Sequence, residues 1–136
     1  MGNEIRKVDY YKAMIADKAG EGARVLEILA EAGVNLLAVT GFPRGRKAQV
    51  DFVPEDAAAF KKAARQARLA VTKKTAFLIQ GDDRAGVLAE TASRLAAAGI
   101  NITAVDAIAA GGGRYGAILW VKAADVKKAA KVLGAA

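Results

Sequence analysis

The chain is predicted to be an α+β protein built from two tandem copies of one strand–helix–strand–strand–helix unit. Three observations carry this reading: an ungapped internal repeat, the same order of hydrophobic periodicities in both copies, and glycines at matching helix ends. Asp17–Val39 reads DKAGEGARVLEILAEAGVNLLAV and Asp83–Val105 reads DRAGVLAETASRLAAAGINITAV. At an offset of 66 the two segments share 11 of 23 positions, among them the Asp, two Gly and the Asn. The offset returns where Phe60–Ala64 (FKKAA) meets Val126–Ala130 (VKKAA).

Taken in order, Tyr10–Ala16 and Ala76–Gln80 are rich in aromatic and aliphatic residues and read as first strands. Helical spacing follows, through Val25, Leu29 and Ala32 in copy 1 and Val87, Thr91, Leu95 and Ala98 in copy 2. Gly33 and Gly99 close those helices, because glycine enters the left-handed conformation without a Cβ clash. Val34 and Ile100 stand where such a cap makes its hydrophobic contact. Second strands cover Asn35–Phe42 and Asn101–Ala109, with turns at Pro43–Arg46 and Gly111–Arg114. Third strands cover Gln49–Val53 and Ala117–Val121, and closing helices cover Glu55–Arg68 and Ala123–Leu133. This order makes an antiparallel sheet with helices on one face, divided as unit 1 over residues 1–71 and unit 2 over residues 72–136.

Copy 1 ends with Leu69–Thr72, long enough for a short fourth strand, whereas copy 2 has only Gly134–Ala136 after its last helix. Glu4–Val8 holds the repeat position of Ala70–Lys74 and is expected to supply the missing edge strand of copy 2.

Composition narrows the chemistry. Of 136 residues, 54% are hydrophobic and 26% charged, which suits a packed core rather than a disordered chain. There is no cysteine and no histidine, so disulfides, thiolate nucleophiles, iron–sulfur clusters and the common zinc sites are excluded. The usual general base at neutral pH is missing as well. No carboxylates are spaced for an oxygen-ligand metal site, and no Tyr, Lys, Ser, Asp or Glu forms a recognisable nucleophile–base arrangement. The expectation is a non-enzyme with no cofactor and no metal. Apolar runs such as Ala117–Val121 are far shorter than the ~20 residues of a membrane span. Met1–Lys7 is followed by no apolar leader segment, so the expected location is the cytoplasm. The net charge of +7 permits an acidic partner, yet the lysines are dispersed as pairs along the chain, as solvated helix faces are.

With Asp-x-x-Gly before a helix and Gly-(Val/Ile)-Asn-(Leu/Ile) after it, the chain resembles the ACT domain family over residues 8–71 and again over 72–136. Copy 2 carries the motif through Asp83, Gly86, Val87, Leu88, Gly99, Ile100, Asn101 and Ile102; copy 1 carries it through Asp17, Gly20, Gly33, Val34, Asn35 and Leu36. Ala19 and Ala85 stand where the family usually has Pro, and copy 1 has Glu21–Gly22 where apolar residues are expected. The resemblance implies ferredoxin-like βαββαβ units joined into a continuous, eight-stranded antiparallel sheet. It also implies regulation by a small-molecule effector, usually an amino acid, bound at a seam between units.

The residues themselves suit a zwitterion. Arg84, Ala85, Gly86, Val87 and Leu88 lie where free helical N–H groups and the positive end of the helix dipole meet a carboxylate. Asp83 can accept from an ammonium group, and Asn101 and Ile102 open the following strand. Asp17, Gly20, Asn35 and Leu36 are the copy 1 counterparts, beside an unhelpful negative charge at Glu21. Either Asp could instead be a plain helix N-cap, and either Asn a local backbone partner.

The expected function is therefore an amino-acid-binding regulatory protein, with a ligand-free interaction module as the alternative. The expected partners are the effector, a second copy of the chain, and a metabolic enzyme or regulator that it acts on; no membrane partner is expected. Nucleic acid is disfavoured, because Tyr10, Tyr11, Phe77 and Trp120 do not form a base-stacking motif. The run Ile118–Val121 is apolar at successive positions, so its strand should be covered on both faces, which predicts face-to-face homodimerisation.

Overall fold

In a computed structural model, which describes residues 3–135, the elements follow the predicted order in both copies. They are β1 (Glu4–Ala16), α1 (Glu21–Glu31), β2 (Leu36–Arg44), β3 (Lys47–Pro54), α2 (Ala57–Gln66), β4 (Thr72–Asp82), α3 (Val87–Ala97), β5 (Ile102–Gly111), β6 (Arg114–Val121) and α4 (Val126–Leu133). A short 3-10 turn, Ala123–Asp125, leads into α4. The strands are ordered β2-β3-β1-β4-β6-β5 in one sheet of six, with β2 and β5 as its outer strands.

Six strands replace the expected eight, and the reason is local. No glycine or proline interrupts the chain between Glu4 and Ala16 or between Thr72 and Gln80, so nothing turns it at the copy boundary. The segment expected as a separate edge strand runs straight into the first strand of the next copy. β1 thus joins Glu4–Val8 to Tyr10–Ala16, and β4 begins at Thr72, with Leu69–Val71 outside any strand. The chain divides into two compact units, Asp9–Lys74 and the described part of Met1–Val8 together with Thr75–Ala136. In this division the chain parts at 74/75, and Glu4–Val8 goes with the C-terminal unit.

In the N-terminal unit, Tyr11, Ala13 and Ile15 of β1 and Phe52 of β3 face Val25 and Leu29 of α1 and Phe60, Ala63 and Ala64 of α2. Phe60 is fully buried, with its ring centroid 4.9 Å from Tyr11 and 5.4 Å from Phe52, and is the centre of this core. Asp56 caps α2, accepting from the Ala59 N–H at 3.1 Å.

The C-terminal unit packs Phe77 of β4 and Leu119 and Val121 of β6 against Leu95 of α3 and Ala129 and Leu133 of α4. A second cluster of Ile79, Val87, Tyr115 and Ala117 lies at the other end of the same sheet. Ile5 packs against both clusters, so the Glu4–Val8 segment closes this core as the repeat predicted. Gly33 (φ 74°) and Gly99 (φ 75°) are left-handed, and the Val34 and Ile100 N–H groups return to Leu29 O and Leu95 O at 2.9 Å.

Ile118 and Trp120 lie on the face of β6 opposite Leu119 and Val121, yet are only 5% and 7% exposed within the single chain. The apolar run that predicted a face-to-face dimer is therefore covered without a second copy. Four of the six exposed large apolar side chains among the described residues are on the outer strands, Val39 and Phe42 on β2 and Val105 and Ile108 on β5; the others are Met14 and Leu26.

Candidate functional site

In the C-terminal unit the loop Asp83–Gly86 links β4 to α3, and every residue of it is exposed. Gly86 occupies the N-cap position in the left-handed region (φ 82°), and no side chain caps the helix. Asp83 is therefore not the cap that its position suggested: its own N–H donates to Gly113 O at 2.8 Å, and its carboxylate makes no hydrogen bond among the described residues. The Val87 N–H donates to Arg84 O at 3.3 Å and the Glu90 N–H to Gly86 O at 3.1 Å. The N–H groups of Leu88 and Ala89 between them have no acceptor among the described residues. Two free donors at the positive end of an 11-residue helix suit a small anion or carboxylate.

Charged groups of both signs frame these donors. Arg84 pairs with Glu90, and this guanidinium holds the Glu90 carboxyl below its ordinary range. Arg114, on the neighbouring strand, pairs with Asp82 at 2.8 Å. The Val87 side chain is buried in the core, so only its backbone belongs to the loop, while Leu88 is half-buried at the rim.

The N-terminal unit repeats the backbone but not the chemistry. Gly20 is left-handed (φ 88°), and α1 likewise has no side-chain cap, which leaves Asp17 exposed and uncapping. Glu21 stands where Val87 stands in the other copy and pairs with Arg24, placing a carboxylate at the helix start. The Asn35 amide donates to Glu55 Oε2 at 3.4 Å, and the Glu55 N–H donates to Asn35 O at 2.9 Å. Asn35 is thus engaged locally, beside half-buried Leu36, whereas the exposed Asn101 side chain makes no hydrogen bond among the described residues.

The motif does not converge within one unit. Ile102 pairs with Val121 at one end of β5, and Gly111 pairs with Arg114, the partner of Asp82, at the other. Ten residues of strand place Asn101 and Ile102 about 30 Å from the 83–88 loop.

One group near the loop escaped the sequence reading. Tyr115 on β6 stands opposite Gly81 on β4, is 6% exposed, and clusters with Val87 under the first turn of α3. Its hydroxyl is sealed from solvent and makes no hydrogen bond of acceptable geometry; the Asn3 amide is a polar neighbour. A Cβ at Gly81 would meet Asn3 Oδ1 at 2.1 Å and Asn3 Cα at 3.1 Å, so this glycine admits a close approach by the start of the chain. Burial raises the Tyr115 pKa, with Arg84 and the contact to Asn3 opposing and Glu90 reinforcing the shift, so the phenol is a protonated donor at neutral pH. The sequence signal was the Gly–Tyr pair at the position that Ile15 and Ala48 hold in copy 1, which becomes visible only once strand register is known.

Residues 75–136 match the family of ACT domains. No curated protein matches the chain. Among solved structures, a protein from Bacteroides thetaiotaomicron superposes with a TM-score of 0.83 at 20% identity, over 96% of this chain and 88% of that one. The ligand-free regulatory subunit of aspartate kinase from Thermus thermophilus gives 0.65 at 17% identity, over 98% and 96%. The corresponding subunit from Thermus flavus gives 0.58 at 18% identity, over 98% and 95%. These likenesses establish the fold.

Proposed function

We propose that this chain, whose C-terminal unit matches the ACT domain, is a non-enzymatic regulatory protein that binds an amino acid at the start of α3. The observation that carries the reading is the uncapped first turn of α3, with free Leu88 and Ala89 N–H groups and, in the loop before it, the unengaged carboxylate of Asp83. The donors take the effector's carboxylate and Asp83 takes its ammonium group. Asn101 and Ile102 complete the site from a second copy. β5 has one strand neighbour, so two copies can pair antiparallel along it, which carries the start of one β5 to the loop end of the other. The regulated partner is a metabolic enzyme or regulator, in keeping with the likeness to regulatory subunits of aspartate kinase.

The competing reading, a ligand-free interaction module, is favoured by one feature: all ten residues of β5 are exposed or half-buried, and Ile108 is 73% exposed. A thermal-shift series with each common L-amino acid at millimolar concentration separates the two. A native-state ligand raises the melting temperature, by RT ln(1 + [L]/Kd) in free energy. Stabilisation by one amino acid or a small related group is the expected result. A flat response to all of them would leave the interaction module.

A further inference from the structure

Only the C-terminal unit places a hydroxyl beneath its helix start. The equivalent pair in the N-terminal unit, Ile15 opposite Ala48, is apolar and packs in or against the core. In the C-terminal unit the bulk is exchanged across the strands: Gly81 vacates the β4 side, and Tyr115 fills the space from β6. A phenylalanine would fill that space equally well, and a buried hydroxyl without a partner is destabilising. The polar neighbour of the hydroxyl is the exposed Asn3 amide, and the tyrosine packs under the same turn as the two free N–H donors. Arg84 and Glu90 are the charged side chains that act on it.

We propose that the Tyr115 hydroxyl is a third donor of the amino-acid site and sets its preference for a free carboxylate. In this arrangement the effector displaces the exposed Asn3 side chain from over Gly81. Tyr115 Oη and the Leu88 and Ala89 N–H groups then converge on the carboxylate. Asp83 remains free for the ammonium group. The proposal deepens the reading that an amino acid binds at the start of α3, and it explains why the C-terminal copy is the binding copy.

The test uses the full chain, the amino acid giving the largest thermal shift, and that compound's carboxamide, with affinities measured by calorimetry for wild type and Tyr115→Phe. Without ligand, Tyr115→Phe should melt at or above the wild-type temperature, because it removes a buried hydroxyl that has no hydrogen bond of good geometry. It should bind the amino acid about 10- to 100-fold more weakly, the range expected for a hydrogen bond to a charged group. Affinity for the carboxamide should change much less. Asn3→Ala, which removes the displaced side chain, should bind the amino acid at least as tightly as wild type.

Equal amino-acid affinity in wild type and Tyr115→Phe would overturn the proposal while leaving the α3 site standing. Equal losses for acid and carboxamide would do the same, as would weakened binding in Asn3→Ala. A lower melting temperature in Tyr115→Phe with unchanged affinity would assign the hydroxyl to a buried water. If no amino acid binds wild type, the underlying reading falls and this proposal with it.

Discussion

Asp51 on β3 is 5% exposed, and Gln49 donates to its two carboxylate oxygens at 3.0 and 3.3 Å while accepting from Arg44 at 2.6 Å. Burial raises the Asp51 pKa; the Gln49 hydrogen bond and the charges of Lys12, Lys74 and Arg44 pull the other way without cancelling it. Tyr10 faces the same carboxylate, which helps to raise its own pKa. A carboxyl whose folded pKa lies above its unfolded value binds its proton more tightly in the native state. Its stabilising contribution is full below the ordinary Asp range near pH ~3.9, and is lost as pH rises through the raised value. Asp51→Asn should therefore melt higher than wild type at pH 7 and lose this part of the pH dependence, as followed by circular dichroism from about pH 3 to 8. A lower melting temperature for Asp51→Asn at pH 7 would show that the charged network is net stabilising. The alternation in Gln49–Val53 announces two faces but not how each is covered, so the burial of Gln49 and Asp51 was not legible. The candidate loop was legible because its residues are set by backbone need: a glycine able to turn, an acid before it, a helix after it. Which residue caps was not, since a left-handed Gly86 takes the place that propensity assigns to Asp83.

At the scale of elements, the informative pieces are the two long strands. The repeat offset put Glu4–Val8 in the fourth-strand position of copy 2, and Ile5 packs against both core clusters of that unit. What the repeat hid was continuity, since aligning two copies invites a break between them. The absence of glycine and proline across Val8–Tyr10 and Lys74–Ala76 was the contrary signal. Ile5→Ala should cost roughly 1–2 kcal/mol, below the range for a fully buried isoleucine because this one is half-buried. The loss should appear in the C-terminal unit: native-state hydrogen exchange should quicken for amides of α3 and β6, with α1 and α2 unchanged. Equal quickening in both units would mean that they unfold as one, and no change anywhere would detach Glu4–Val8 from the core.

For the whole molecule, the apolar side chains of the outer strands matter more than the net charge of +7. The sequence correctly marked Ile118–Val121 as covered on both faces but assigned the cover to a second copy, because periodicity cannot say which atoms do the covering. The exposed candidates are on β5, where Ile108→Lys should lower the light-scattering mass at micromolar concentration towards that of a single chain and weaken the amino-acid response in parallel. An unchanged mass would remove β5 from the assembly. The borrowed strand of the C-terminal unit also bears on synthesis. At about 5–20 residues per second, every segment of Asp9–Lys74 is made before Thr75, whereas Glu4–Val8 waits several seconds from its own synthesis for the part of β4 that belongs to its unit. For that interval Glu4–Val8 lacks the strand partner of its unit, so early contact with a chaperone, or with another nascent copy, would fall on this segment.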